Sequence, residues 1–314
     1  MTKPLAVRTS LPRWTVKASS TLCWVCEDKS IVTLAETTST TRIALLQMTS
    51  GIDPLANARI MADAASDAAR DGASILFTPE MCGLLDRQRE RADQHIVEEA
   101  QDPVLAEMRN VAARHGIWVA LGSLAIRRFD GRWANRSLLL TPEGNIAARY
   151  DKIHMFDVEL ASGETWRESA AYVPGEEVVT AETPVGRLGL SICYDIRFPA
   201  LYDELGRQHC DAIAVPAAFT VPTGKAHWHL MQRARAVEAS AYVIAAAQVG
   251  IHADGRETYG HSLVVDPWGE IVLDMGGDGP GLGFAEIDPK RITDIREQLP
   301  SLANRRILSK AMTS

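Results

Sequence analysis

The sequence lacks long apolar runs and basic clusters, and it has few cysteines. No stretch approaches the roughly 18 apolar residues that a membrane-spanning helix needs, so we expect a soluble protein with no membrane partner. The 5 cysteines in 314 residues are too few for a disulfide framework, which indicates a reducing compartment. A net charge of -7 without any Lys/Arg block argues against nucleic acid and favours a small-molecule substrate.

Short repeats, low-complexity tracts and Pro/Gly/Ser-rich linkers are also absent. The N-terminus alone differs in composition, because it has no acidic residue before Glu27 and no sustained hydrophobic period. We therefore predict an N-terminal extension over residues 1–40 that is disordered or outside the core, one domain over 41–306 and a C-terminal tail over 307–314. The N-terminus also weakly matches a transit peptide, so organelle targeting is the alternative to the predicted cytoplasmic location.

What is present after residue 40 is an alternation of helical and strand patterns. Asp53 and Pro54 provide an N-cap and a first-turn proline for a helix that ends at Gly72. The face that this helix is predicted to bury consists of Ile60, Met61, Ala64, Ala65 and Ala68. Further helices are predicted from Pro103 to about His115, over ALYDELGRQH, from about Lys225 to Ser240 and near Arg291.

Short apolar segments between these helices predict strands. They are RIALLQM, ASILFTPE, IWVALGSL, RLGLSIC, DAIAVPAA, AYVIAAAQV, SLVVD and GLGFAEI, together with a hairpin in RSLLLTPEGNIAARY that turns at Glu143 and Gly144. The alternation indicates an α/β fold, and the strand-only stretches near residues 135–150 and 261–287 indicate mixed sheets. Two sheets packed face to face are consistent with this pattern.

Three of the predicted strands are followed by a residue with reactive chemistry. Glu80 follows ILFTP, Lys152 follows ARYD and Cys193 follows LGLSI. Active sites of open α/β sheets lie at such strand ends. Taken alone, however, a cysteine that ends a strand is more often a small buried hydrophobe, and a glutamate or lysine there usually points into water.

Taken together, the sequences around these three residues favour a catalytic role over a structural one. The motifs TPEMCG, RYDKIHMFD and SICYDIRFP, in that order, resemble the three catalytic motifs of the nitrilase superfamily of carbon-nitrogen hydrolases. The resemblance extends from about Thr41 to Arg306, and two later segments, GKAHWHLMQRARAVEASAYVIAAAQVG and YGHSLVVDPWGEIV, look like its deaminated-glutathione amidase branch. It implies a four-layer α-β-β-α sandwich of two mixed sheets, a homodimer or larger homo-oligomer, and no cofactor.

The resemblance also implies a role for each reactive residue. Cys193 is the nucleophile and Glu80 is the general base, which is needed because a thiol with an unperturbed pKa of about 8.5 is mostly protonated at neutral pH. Lys152 and the backbone N–H of Tyr194 stabilise the oxyanion of the tetrahedral intermediate. Glu80 then protonates the departing nitrogen, and a thioester remains on Cys193 until water hydrolyses it.

A second carboxylate is expected to hold Lys152 and to orient the substrate amide. Glu159 and Glu168 are the two candidates, at seven and sixteen residues after the lysine. The matching ES of the amidase branch favours Glu168 in TWRES, with Glu159 as the fallback. A solvated loop acid is the structural alternative for Glu168.

Further residues are expected to bind the substrate. The guanidinium of Arg197 is suited to a substrate carboxylate, to which it can donate two parallel hydrogen bonds. The alternative is a structural ion pair with Asp195 or Asp203. Phe219 and Thr223 match positions that line the pocket in the family.

We predict no metal site. His227 and His229 are two residues apart on a helix and face different directions, which favours packing or hydrogen bonding over metal ligation. Cys23 and Cys26 form a lone Cys-x-x-Cys without a second pair or a histidine partner. Cys82, two residues after Glu80, lacks the strand-end context of Cys193, and we interpret it as a packing residue.

The expected activity is that of a cysteine-dependent amidohydrolase that cleaves a terminal amide of a small, carboxylate-bearing 2-oxo acid. Resemblance to the amidase branch favours deaminated glutathione as the substrate, with an ω-amidase acting on 2-oxoglutaramate as the runner-up. A nitrilase or an N-carbamoyl amino acid hydrolase fits less well. The non-enzyme alternative is a scaffold, against which the intact Glu80, Lys152 and Cys193 argue.

Overall fold

The computed structural model describes residues 15–16, 23–25, 31–33, 39–159, 163 and 165–306. The chain divides into two compact units, residues 1–39 and residues 40–314. In the first unit, three short strands form an antiparallel sheet. The rest of the predicted N-terminal extension up to residue 38, including Cys26, and the predicted tail over residues 307–314 lie outside the described residues.

The second unit alternates strands and helices as the sequence predicts. The strands of both units are β1 Thr15–Val16, β2 Cys23–Val25, β3 Ile31–Thr33, β4 Thr41–Gln47, β5 Ile75–Phe77, β6 Trp118–Arg127, β7 Trp133–Leu140, β8 Ile146–Asp151, β9 Asp157–Glu159, β10 Thr165–Arg167, β11 Thr180–Thr183, β12 Gly186–Leu190, β13 Ala212–Ala214, β14 Tyr242–Ala245, β15 Val249–Ile251, β16 Glu257–Tyr259, β17 Leu263–Val265, β18 Ile271–Asp274 and β19 Gly281–Ile287. The α-helices are α1 Pro54–Arg70, α2 Arg89–Asp93, α3 Pro103–His115, α4 Pro199–Arg207, α5 Val221–Ala239 and α6 Pro289–Gln298. Within the described ranges, no helix has the length and apolar character to cross a membrane.

Two six-stranded sheets form the centre of the second unit. One has the order β19-β4-β5-β6-β7-β8 and the other the order β11-β12-β13-β14-β17-β18. In each sheet the inner strands are parallel, β4 with β5 and β6, and β12 with β13 and β14, whereas the outer pairs are antiparallel. Both sheets are therefore mixed, as predicted.

The buried side chains arrange the sheets and helices in four layers. One apolar cluster joins the facing sides of the sheets, including Leu45 on β4 and Leu190 on β12, and continues to Trp228 on α5. A second cluster packs α1 and α3 against the outer side of the first sheet, for example through Met61 and Met108. The order of layers is helix, sheet, sheet, helix, which confirms the predicted α-β-β-α sandwich.

Local signals in the sequence predict several element ends correctly, and one buried position wrongly. The Asp53 carboxylate caps α1 by accepting hydrogen bonds from the N–H groups of the first turn, and α3 spans the predicted range. Gly144, with φ +76°, forms the predicted turn between β7 and β8. Ile60, however, is 44% exposed, because it lies at the edge of the stripe that buries Met61 and the alanines of α1.

Candidate active site

A cavity of about 390 Å³ opens where the chain leaves β5, β8 and β12. Strands from both sheets therefore contribute to one site. All the residues that the sequence assigns to catalysis or substrate binding line it, namely Glu80, Lys152, Glu168, Cys193, Tyr194, Arg197, Phe219 and Thr223.

Glu80 is held by the segment of β6 beside it. The N–H of Gly122 donates to the Thr78 hydroxyl at 2.9 Å, and the Ser123 hydroxyl accepts from the N–H of Met81 at 2.9 Å. A Cβ at Gly122 would lie 2.1 Å from the Thr78 carbonyl oxygen, so only glycine allows this close approach. The carboxylate of Glu80 is consequently fixed in a buried position, 5% exposed.

Lys152 lies between two carboxylates. Its Nζ donates to Glu80 Oε1 at 2.9 Å and to Glu168 Oε2 at 2.9 Å. Burial disfavours the ammonium, but the charges of Glu168 and Glu80 outweigh burial and hold the pKa of Lys152 well above its usual value. Lys152 is therefore a permanent positive charge in this site.

The structure places Glu168, and not Glu159, beside Lys152. Glu168 begins a short 3-10 turn after β10, and its Oε2 also accepts from the N–H of Phe156 at 2.7 Å. Glu159 instead pairs with Arg167 at the surface, where its side chain is 69% exposed. Of the two candidates, only Glu168 is in a position to act on the bound amide.

Cys193 begins a 3-10 helix that follows β12. Its φ of +48° is in the left-handed region, which is unusual for a residue with a Cβ, and its N–H donates to the carbonyl of Pro216 at 2.9 Å. Burial and the charge of Glu80 raise the pKa of the Cys193 thiol well above its usual value, although Lys152 opposes this. The thiol is thus protonated at rest and hydrogen-bonded to Glu80, which is the arrangement that a general base requires.

Asp195 supports the turn that presents Cys193, a role that sequence reasoning missed. Its fully buried carboxylate accepts from the Tyr150 hydroxyl at 2.7 Å and from the N–H groups of Ile192 and His154. The sequence alone indicates Asp195 only as an alternative partner of Arg197. Its position two residues after the nucleophile was the available signal.

Asn135 on β7 is a second residue that sequence reasoning missed. Its Nδ2 donates to Glu80 Oε1 at 3.0 Å and to Glu168 Oε1 at 3.1 Å, so one amide group bridges both carboxylates. Its Oδ1 is buried and has no hydrogen-bond partner among the described residues. The sequence carries little signal for it, because Asn135 is one of three adjacent polar residues in the strand WANRSLLL.

Arg197 forms no ion pair with a described residue. Its guanidinium lies over the rings of Tyr194 and Phe219, at 5.8 and 5.5 Å, and Nη1 is 3.3 Å from His227 Nδ1. Both acids considered as its alternative partners bind elsewhere: Asp195 as described above, and Asp203 to Arg207 and Arg305. Arg197 is therefore available to an anionic ligand in the cavity.

The remaining candidates have structural contacts. The Thr223 hydroxyl is 2.8 Å from that of Thr220, and Cys82 is fully buried beside Thr78, where burial raises its pKa to about 11. His229 Nε2 hydrogen-bonds Asp274 Oδ2 at 2.9 Å. In the described part of the chain, one set of potential metal ligands lies close together. It consists of His229, His261 and Asp274, whose ligand atoms are within 4.8 Å of one another.

Comparison with known proteins agrees with this architecture. Residues 42–297 match the carbon-nitrogen hydrolase family, and the chain belongs to that family. It is similar to the deaminated glutathione amidase of Synechocystis sp., with 40% identity over 267 residues that cover 83% of this chain and 97% of the relative. The deaminated glutathione amidase of Homo sapiens is 37% identical over 269 residues, 84% of this chain and 82% of the relative. The protein is thus a hydrolase of amide carbon-nitrogen bonds.

Solved structures show the same fold. The C. elegans NitFhit protein aligns with a TM-score of 0.79 and 35% identity over 86% of this chain and 66% of its own, so the present chain spans just under two thirds of it. Nit3 of Saccharomyces cerevisiae, a member of branch 10 of the nitrilase superfamily, aligns with a TM-score of 0.76 and 28% identity, covering 85% and 97%. A mutant amidase from Nesterenkonia sp. AN1 carries the acetamide moiety of fluoroacetamide covalently at its active-site cysteine (TM-score 0.73, 27% identity, 87% and 96% covered).

Proposed function

We propose that this protein hydrolyses deaminated glutathione, with Cys193 as nucleophile and Glu80, Lys152 and Glu168 as the other reacting groups. The observation that carries the proposal is the convergence of these four side chains at a cavity in which Arg197 has no acidic partner among the described residues. The names of the similar amidases favour this substrate. Deaminated glutathione is a 2-oxo acid whose γ-carbonyl is bonded to the nitrogen of cysteinylglycine, so the leaving group is a dipeptide amine and not ammonia.

Acylation begins with proton transfer from Cys193 to Glu80. The sulfur attacks the amide carbonyl, and the resulting oxyanion is stabilised by Lys152 Nζ and by the N–H of Tyr194, which lies in the first turn of a helix where N–H groups have no intrahelical acceptor. Glu80 returns its proton to the amide nitrogen as the carbon-nitrogen bond breaks. The products are a free amine and a thioester on Cys193.

Deacylation uses the same groups in reverse. Glu80 takes a proton from water, whose oxygen attacks the thioester carbonyl, and the oxyanion forms again beside Lys152. When the carbon-sulfur bond breaks, the proton returns to the sulfur. Glu168 and Asn135 keep their contacts to Lys152 and Glu80 throughout, so the base and the ammonium stay in place between the two steps.

Arg197 supplies the specificity for the acyl part of the substrate. Its guanidinium is held by two aromatic faces and by His227, which limits its motion without neutralising its charge. A carboxylate next to the 2-oxo group of the substrate is a suitable partner for this fork. Neutral amides lack that interaction and should react more slowly.

A substrate panel tests the proposal. The enzyme is assayed with deaminated glutathione, 2-oxoglutaramate, a simple nitrile and an N-carbamoyl amino acid, and the acid product and the released amine or ammonia are quantified. We expect the highest kcat/KM for deaminated glutathione and no turnover by the Cys193→Ala variant. A clear preference for 2-oxoglutaramate would instead assign an ω-amidase, and turnover by the alanine variant would contradict the nucleophile.

We also propose that the enzyme forms a homo-oligomer. Leu230 and Val237 on α5 and the nearby Trp268 are large exposed apolar side chains, and Arg233 Nε donates to the Gly269 carbonyl, which holds this loop against the helix. An apolar surface of this kind is typical of a contact between subunits. Light scattering in solution tests the proposal, and the mass of a single chain would contradict it.

A further inference from the structure

Five side chains form a continuous row of contacts along one wall of the cavity. Tyr194 and Phe156 have ring centroids 5.1 Å apart, and Phe156 and Trp166 are 6.2 Å apart. The Cζ atom of Arg197 lies 5.8 Å from the Tyr194 ring, and that of Arg87 lies 5.3 Å from the Trp166 ring. A guanidinium therefore occupies each end of an aromatic row.

A buried carboxylate fixes the Arg87 end of the row. Asp254 Oδ2 accepts from the backbone N–H of Arg87 and from Nε of Arg256, both at 2.8 Å, and its side chain is fully buried. The Arg256 guanidinium lies 4.9 Å from the Trp166 ring, so two guanidinium groups contact the same indole. Asp254 pairs with Arg256, whereas no carboxylate of the described residues pairs with the guanidinium of Arg87.

The rim of the cavity has an excess of positive charge. Asp86 pairs with Arg91, and Arg167 pairs with Glu159. The rim side chains that have no oppositely charged partner among the described residues are Arg87, Arg89, Arg197 and Glu257. Three unpaired arginines against one glutamate favour an anionic ligand that contacts more than one part of the rim.

The two ends of the row adjoin different parts of the site. Trp166 is two residues before Glu168, and the N–H of Phe156 donates to Glu168 Oε2 at 2.7 Å, so this end adjoins the carboxylate that holds Lys152 and is expected to orient the substrate amide. Arg197 lies at the other end, four residues after Cys193. Because the proposed function assigns Arg197 to the acyl part of the substrate, the Arg87 end remains for the leaving group.

We propose that Arg87, positioned over Trp166, binds a carboxylate of the leaving group, so that the cavity recognises a substrate with one acid at each end. This inference rests on the proposed function. Deaminated glutathione carries such a group, the carboxylate of its C-terminal glycine, whereas 2-oxoglutaramate releases ammonia and has none. The planar guanidinium of Arg87 can donate two hydrogen bonds to this carboxylate.

The position at Arg87 that is proposed to bind the leaving-group carboxylate is called the subsite. It is tested by changing both Arg87 in the enzyme and the carboxylate in the substrate. Wild type, Arg87→Gln and Arg87→Lys are compared with Arg114→Gln, which removes the same charge from an exposed position on α3. Each is assayed with deaminated glutathione, with its C-terminal carboxamide and with 2-oxoglutaramate. We expect Arg87→Gln to lower kcat/KM about tenfold for the free acid only. Arg87→Lys should recover part of the loss, and Arg114→Gln should match wild type.

The outcomes separate the subsite from the proposed substrate. Equal losses of Arg87→Gln on all three substrates would assign Arg87 a structural role and overturn the subsite. Equal kcat/KM of the wild type for the free acid and its carboxamide would overturn it as well. A wild-type enzyme that hydrolyses 2-oxoglutaramate but not deaminated glutathione would instead overturn the proposed function, without reference to any Arg87 variant.

Discussion

Replacement of Lys152 by methionine would remove the one ammonium among the described residues that contacts the two buried carboxylates of the site. Nζ lies 2.9 Å from Glu80 Oε1 and 2.9 Å from Glu168 Oε2, and the three side chains are only 2%, 6% and 13% exposed. Removing one partner of a buried ion pair costs about 3–5 kcal/mol, because the remaining charge is left without compensation. We expect a loss of that size in the free energy of unfolding of Lys152→Met at pH 8.

The contribution of Lys152 to stability should depend on pH with a definite sign. In the wild type the raised pKa of Lys152 stabilises the fold fully below the unfolded value of about 10.4, and this contribution is lost only as the pH rises through the still higher folded value. Wild-type stability should therefore not change through this group between pH 5 and 9.

Urea unfolding at several pH values between 5 and 9 measures the effect. Lys290→Met is the matched control, since Lys290 pairs with Asp294 on the exposed face of α6 and its loss should change stability little. Turnover by Lys152→Met should fall by about 10²–10³, because an oxyanion donor is lost. An unfolding free energy equal to that of the wild type at all these pH values would refute the charge balance described for the site.

Other variants address individual contacts. Glu80→Gln should fold normally and lose at least about 10²-fold in kcat, since the proton acceptor is absent; a rate near wild type would remove Glu80 from the chemistry. Glu168→Gln should lower kcat strongly, whereas Glu159→Gln should leave it unchanged, and the reverse result would exchange their roles. Asn135→Ala should lower kcat more than it raises KM, and an effect confined to KM would contradict a bridging role. Because the pKa of Cys193 is raised, its alkylation by iodoacetamide should be slow at pH 7.5 and rise only in alkaline solution; fast labelling at neutral pH would argue for a resting thiolate.

Features encoded by short sequence signals were predictable. The caps and prolines of α1 and α3 mark their ends because they satisfy or remove local hydrogen-bond donors, and those signals do not depend on the rest of the fold. The short strands β9 Asp157–Glu159 and β16 Glu257–Tyr259 were missed, since they are brief, largely polar and paired only with one neighbour. Apolar periodicity carries no information about such pairs.

In the site, too, residues marked by a local sequence signal could be predicted, whereas residues defined by contacts to distant parts of the chain could not. Glu80, Lys152 and Cys193 each follow a predicted strand, so their meeting at one end of the sheets could be expected from chain order and strand ends. The choice of Glu168 over Glu159 came from the resemblance to a family, because both acids lie in polar loop sequence. Asn135 and Asp195 could not be assigned, since their roles consist of hydrogen bonds to residues distant in the sequence, such as Glu80 and Tyr150.

The left-handed backbone of Cys193 has a consequence for attempts to engineer this enzyme. A side chain at φ +48° costs roughly 1–2 kcal/mol relative to glycine, so the fold gives up stability to hold the sulfur at this position. Selection for heat resistance alone would therefore tolerate glycine at position 193, and the product would be a folded but inert protein. A library built for thermostability should keep this codon constant, or screen every round for turnover.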